Sequence, residues 1–290
     1  MPSFLNLRQI IILLYLFLYL CPVLKIQPTM IKLKIFILLI LMCWSNRTLS
    51  QSGIVHEIGV IAGPVQFRSD YGQRDNVQTN MNNTGFGLGI IDYLNFSYND
   101  NQNIYFKEHF KIRNELSYSK TDLQNYGQWV EKNTLPSQQL AAMRGSTQLI
   151  NLGTQLEFYP LHIHDFENTM GSFAPYASLG IQISYYSATA TSTMGELGNT
   201  ATTHPKYLVP SDGHPHGYAT ESKAVISEVF DIGTRYKLNR MSDLIIDLRY
   251  QHFESDWVDG LNPNKDIYTE NKSNDSLLWL TVGYIFYLEN

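Results

Sequence analysis

The chain is nearly without cysteine: its 290 residues hold two, Cys21 and Cys43, and both fall among the first 51. Beyond that point a disulfide framework, a thiolate metal site and a cysteine nucleophile are all excluded. What the first 51 residues lack is acid; they carry Arg8, Lys25, Lys32, Lys34 and Arg47 but no Asp or Glu. Taking those five cations from the 21 leaves sixteen against 26 acids, a charge of about −10 that repels nucleic acid. Long hydrophobic runs are missing too. "IIILLYLFLYL" and "IFILLILMCW" are each shorter than the roughly 20 apolar residues a helix needs to cross a bilayer. From Gly53 onward, no segment of useful length shows helical periodicity.

What the N-terminal stretch does have is the plan of a secretory leader. Lys32 and Lys34 precede an apolar stretch from Ile35, and the polar, small-residue segment "SNRTLSQS" follows. Residues 30–51 therefore read as a signal peptide, residues 1–29 as an upstream extension, and residues 52–290 as the exported domain.

That domain alternates with period two. In "GFGLGIIDYLNF" Phe86, Leu88 and Ile90 oppose Gly85, Gly87 and Gly89. "HFKIRNELSY" sets Phe110, Ile112, Leu116 and Tyr118 against Lys111, Arg113, Glu115 and Ser117. "LINLGTQLEF" and "FDIGTRYKL" repeat the pattern. Successive strand side chains point to opposite faces, so each segment has one oily side and one polar or tiny side. Eight strands are expected, over about 55–67, 84–97, 105–120, 146–159, 173–187, 224–238, 242–254 and 276–288. Long connections (68–83, 121–145, 188–223, 255–275) alternate with shorter ones (98–104, 160–172, 239–241). An even strand count with short periplasmic turns and long external loops is the plan of an antiparallel up-and-down transmembrane barrel.

Alternation alone also suits a soluble periplasmic lipocalin-like barrel, whose oily face would line the core. Three features put the oil outside. Strands of this length span a bilayer when tilted. The polar faces balance five acids, Glu57, Glu115, Glu157, Asp231 and Asp247, against five bases, Lys111, Arg113, Arg235, Lys237 and Arg249. Such a balance suits an enclosed lumen in which charges must pair. Aromatics crowd the strand ends (Tyr93, Phe96, Tyr98, Tyr118, Phe158, Tyr159, Tyr185, Tyr186, Tyr250 and Phe253), as interfacial girdles do. The final "TVGYIFYL" carries a closing-strand signal in Thr281, Gly283, Phe286 and Leu288, with Gly283 directed inward and Phe286 and Leu288 toward lipid.

A family resemblance attaches to particular segments. "HEIGVIAG", "FAPYASLGIQISYY", "IGTRYKL" and "DLRYQHFESDWVDGLNP" resemble the PorG-type barrels of the type IX secretion and gliding machinery. The nearest likeness is "SDWVDGLN", which contains Asp256, Trp257 and Asp259; the first and third long loops do not match the family pattern. The resemblance implies an accessory outer-membrane barrel without catalysis. Protein partners of a secretion complex would be held on its periplasmic turns or external loops, and its wall would meet outer-membrane lipid.

Other chemistries are weaker. "GFGLGI" has Ile90 where a dinucleotide fingerprint needs glycine, and no strand-to-helix junction follows, so no cofactor is expected. "HPHG" and His204 lie in a long loop, and "LHIHDF" sets His162 and His164 before Asp165 in a turn; either could be solvated loop, imidazole ligands or a docking surface. Asp256, Asp259, Asn262, Asn264 and Asp266 are oxygen-rich, but without EF-hand spacing. His252, Glu254 and Ser255 are the materials of a rim lipid hydrolase, yet alternation puts Ser255 on the opposite face from His252.

Overall fold

The computed structural model describes residues 54–72, 76–98, 103–269, 271 and 273–288. The expected upstream extension (1–29), the signal peptide (30–51) and both cysteines lie outside the described residues. Eight antiparallel strands run as β1 (Val55–Arg68), β2 (Thr84–Asn95), β3 (Phe110–Gln124), β4 (Met143–Phe158), β5 (Phe173–Ser192), β6 (Glu221–Asn239), β7 (Ser242–Phe253) and β8 (Ser276–Tyr287). Each pairs with the next, and β8 returns to β1, so the sheet is a closed barrel. Closure leaves no unpaired edge, the condition for a sheet that meets hydrocarbon.

The period-two pattern is seen directly in the burial of each strand. Leu152, Leu179, Ile183, Ile232, Leu248 and Val282 stand outward and exposed, while the charged residues between them are buried. Asn114 and Thr154 interrupt this oily wall. The His56–Asp92 pair lies at its border near the short-turn end, and Glu228, between Ile181 and His252 in the ladders, is a further polar break within it. The belt far exceeds the few hundred Å² of contiguous apolar surface that soluble monomers expose. Among the described residues no helix is long and apolar enough to cross a membrane. The strands form the span.

Three expectations are corrected. The third strand begins at Phe110 rather than 105, because Ile104–His109 forms a short helix, α2. Asn103 Oδ1 caps it by accepting the Tyr105 amide at 2.9 Å, and the Phe106 ring stacks on Phe110. Local capping and ring stacking thus overrode an alternation that was readable as strand. Helices α1 (Val77–Met81), α3 (Leu135–Ala142) and α4 (Ile163–Asn168) and a 3-10 turn at Pro205–Tyr207 fill the other connections. The expected aromatic girdle is also rearranged: Tyr93, Phe96, Tyr159, Tyr186 and Phe253 are buried. Of the other expected members, Tyr98, Tyr118, Tyr185 and Tyr250 are exposed, and Phe158 stands at the short-turn end together with Tyr105, Phe110, Phe173 and Tyr236, several in ring contact. Finally, β8 ends at Tyr287, and Leu288 lies just past it, half-buried, donating its N–H to His56 O.

Candidate functional site

The barrel interior is a stack of polar layers with a seal at each end. Because Lys111, Arg113 and Glu115 alternate along β3, and Asp243, Asp247 and Arg249 share one face of β7, their side chains all converge inside. At the short-turn end Lys111 Nζ lies 2.6 Å from Glu57 and 3.0 Å from Glu167. Arg235 Nη2 reaches both Glu57 and Asp243. Lys237 Nζ ion-pairs with Asp243 at 3.0 Å, off the line of a hydrogen bond, and sits 3.7 Å over the Tyr287 ring. Helix α4 closes this end: Ile163, Phe166 and Glu167 are buried, and Glu167 is the carboxylate that meets Lys111 and Asn95.

The middle layer is denser. Arg113 reaches Glu115 at 2.9 Å and Asp247 at 3.1 Å, with Asp231 and Glu157 at 3.4 and 3.5 Å. Arg249 bridges Glu115 and Asp231. Hydroxyls satisfy the remaining carboxylate oxygens: Tyr93 and Tyr159 donate to Glu157, and Tyr176 and Thr281 donate to Asp247. Burying an ion costs several kcal/mol unless it is paired and hydrogen-bonded; the four carboxylates of this layer meet that condition at every oxygen, while Arg113 Nε is left without a hydrogen bond. Above it, Gln251 Nε2 bonds Asn151, Ser184 and Ser227. An apolar layer of Val65, Phe67, Leu149, Phe253 and Trp279 follows.

The long-loop end is closed by the segment that begins at Ser255. Trp257, Val258, Asp259 and Leu261 are all buried, the last three completely. Asp259 accepts the Asp70 amide at 2.9 Å and the Leu261 amide at 2.6 Å, while its own N–H donates to Asp275. Thr147 donates from the barrel wall to Val258 O, and Gly260 O accepts Ala219 N–H. Gly260 takes φ +84°, a backbone state that favours glycine, and this turns the segment back across the mouth. Trp257 packs with its ring 4.0 Å from that of His214 and donates to Asp212. Asp256 is buried and held by Asn271. The acids of this stretch therefore face amide donors and one another's loops, not a common cation position. Beside the plug lies a cleft of about 1150 Å³, lined by Asn125, Trp129, Lys132, Lys206, Tyr207 and Tyr268 among others. Burial, with nearby Asp70 and Asp259, holds the hydroxyls of Tyr71 and Tyr207 well above the usual phenol range.

All ten lumen charges expected from alternation are inside and fall into two ion-pair networks, Glu57, Lys111, Arg235 and Lys237 at the short-turn end and Arg113, Glu115, Glu157, Asp231, Asp247 and Arg249 above them. The sequence reading missed Asp243 and Glu167. Asp243 was within reach of the argument, since it shares a face with Asp247 two steps on. Glu167 was not, because a six-residue turn helix has no strand alternation to betray it. In the closing strand Thr281 points inward to Asp247, and Gly283 lies where an added Cβ would run into the Val60 carbonyl oxygen. Phe286 faces outward. His252, Glu254 and Ser255 do not assemble as a triad: Ser255 Oγ accepts the Trp257 amide, and His252 lies opposite Glu228 and Ser276 in the ladders.

An apolar wall around a charged, sealed interior is the inverse of a lipocalin-like binder. It defines an eight-stranded transmembrane β-barrel. No protein-family model and no curated protein matches the chain. Among solved structures it is similar to Ail, the attachment invasion locus protein of Yersinia pestis, at 10% identity over 81% of this chain and 99% of that one, with a TM-score of 0.38. It is also similar to neisserial surface protein A (11%; 80% and 96%; 0.39) and to a major outer membrane protein of Thermus thermophilus (11%; 80% and 99%; 0.42). The barrel assignment rests on the closed strand pairing itself.

Proposed function

We propose that the chain is a non-enzymatic barrel of the bacterial outer membrane, an accessory component of type IX protein secretion that acts as a fixed platform. The carrying observation is that its lumen is filled from Glu167 at one end to Val258 at the other. A filled lumen passes no solute and offers no open cleft for chemistry, so the two rims remain as working surfaces. The short turns with α2 and α4 would face the periplasm, and the plugged long-loop end the outside. The signal-peptide plan of residues 30–51 supports export. The secretion role is supported by the family-like segments, of which "SDWVDGLN" is the stretch that builds the plug.

The test is deletion of the gene followed by three readouts. Fractionation should put the protein in the outer membrane as a heat-modifiable band. Type IX cargo should accumulate in the periplasm of the deletion strain, and chemical crosslinking of the parent should capture components of that machinery. Normal cargo release with an altered lipid A acylation pattern would overturn the scaffold in favour of a rim hydrolase. Recovery as a monodisperse species in detergent-free buffer would overturn the membrane assignment itself.

A further inference from the structure

We infer that the short-turn rim carries a divalent transition-metal site of the zinc class, built by Glu108, His109 and His162. The three residues come from two different turns, the end of α2 and the residue that precedes α4. Each offers a ligand atom, and these atoms all lie within 4.8 Å of one another. The β3–β4 ladder makes the meeting possible: the two strands pair from Phe110↔Phe158, and Tyr159 N–H continues the ladder to His109 O. The two turns therefore leave the barrel side by side.

The histidines are arranged as ligands rather than as loose surface imidazoles. His109 is buried, with its ring against Tyr105 (4.6 Å), His162 (5.1 Å) and Phe158 (6.1 Å). Its Nδ1 lies 2.7 Å from the Tyr159 carbonyl, which only accepts, so Nδ1 carries the hydrogen. That leaves the Nε2 lone pair, which has no hydrogen bond among the described residues. His162 repeats the logic: Asp165 Oδ2 is 3.5 Å from its Nδ1, while Glu108 Oε2 is 4.0 Å from its Nε2. Metal-binding histidines characteristically give the second ring nitrogen to a carbonyl or carboxylate, which fixes tautomer and orientation. Here both do.

Donors around a tetrahedral zinc lie about 3.3 Å apart. Contracting from the observed spacing falls to Glu108 and His162, the partly and well exposed members, while His109 stays fixed by its ring contacts. Two imidazoles and one carboxylate suit zinc, nickel or copper and disfavour calcium and magnesium, which want oxygen alone. Three protein ligands leave the fourth position for water or for a donor from outside. A metal here would tie one turn to the other. His164, two residues on, packs edge-on against Tyr98 and bonds Asn168, so it belongs to a different neighbourhood. This inference does not depend on the secretion role.

The test uses the whole exported chain in detergent, without a polyhistidine tag, stripped with chelator and titrated with Zn²⁺ and then Co²⁺. One ion per chain is expected, with Co²⁺ giving visible d–d bands of tetrahedral intensity and Ca²⁺ not competing. His162→Ala and Glu108→Gln should each weaken binding by at least about tenfold, and Asp165→Asn by a smaller factor. His164→Ala should leave binding unchanged. Heat-modifiability of every variant reports that the barrel is folded. Substoichiometric uptake by the parent, full affinity in His162→Ala, or equal loss in His164→Ala would each overturn the site.

Discussion

Arg249 and Glu115 are 134 positions apart in sequence, on β7 and β3, yet two guanidinium nitrogens meet both carboxylate oxygens at 2.5 and 2.6 Å. Both side chains are fully buried. The fork spans the lumen between non-adjacent strands, so it braces the barrel where no backbone ladder does. Arg249→Met removes the brace and leaves Glu115 and Asp231 short of a cation. We expect a loss of about 3–5 kcal/mol, read as a lower denaturant midpoint for the detergent-folded protein. Adding Glu115→Gln should recover part of that loss. A double variant less stable than the single one would show that the pair is not coupled in this way.

The oily wall makes a positional prediction. Leu179 stands outward in the middle of the belt, paired with Leu156 and Phe230, whereas Thr189 lies on the part of β5 that continues toward the long loops. Leu179→Arg should cost about 2–4 kcal/mol and deplete the heat-modifiable form in membranes. Thr189→Arg should be tolerated within about 0.5 kcal/mol. Equal tolerance at both positions would mean that the belt does not meet lipid.

Asp259 holds the plug. Replacing it with Ala removes the acceptor of the Asp70 and Leu261 amides, a local loss of about 1–3 kcal/mol. Amide exchange across residues 255–262 should quicken while the strands keep their protection. Both the parent and this variant should be electrically silent in planar bilayers, because the Arg113 and Arg249 layer seals the lumen beneath. Stepwise conductance in the parent would contradict a filled barrel.

The loops should respond to acid through His204. Burial, then the charge of Lys206, pulls its pKa below the ordinary imidazole value. The unprotonated Nδ1 accepts the Lys206 amide at 3.2 Å, so protonation would remove the cap of the 3-10 turn. A depressed pKa means the folded state binds protons less readily than the unfolded one. Its contribution is thus present above about pH 6.5 and fades as pH falls through the lowered value. Exchange at Lys206 to Leu208, corrected for intrinsic rates, should rise at pH 5. His204→Asn, an acceptor that does not titrate, should flatten that rise.

Much of this architecture was legible along the chain because a strand's facing is a local property. Knowing that Lys111, Arg113 and Glu115 alternate with Ile112, Asn114 and Leu116 is enough to assign sides. The alternation of long and short connections then set strand count and direction. The Ile104–His109 helix escaped because six residues with an Asn cap carry no period strong enough to compete with alternation.

Alone, the sequence determined an eight-strand plan, an oily side, and the residues that would line the other side. Tertiary structure decided which ions meet: Arg249 with Glu115 across the lumen, and Glu167 with Lys111 through a turn helix folded into the barrel mouth. It also decided that Trp257–Leu261 closes the opposite mouth and that His109 and His162 come face to face. Those pairings depend on closure and register, which set the distance between residues far apart in the chain. Alternation is blind to both, since it reports only which way each side chain points.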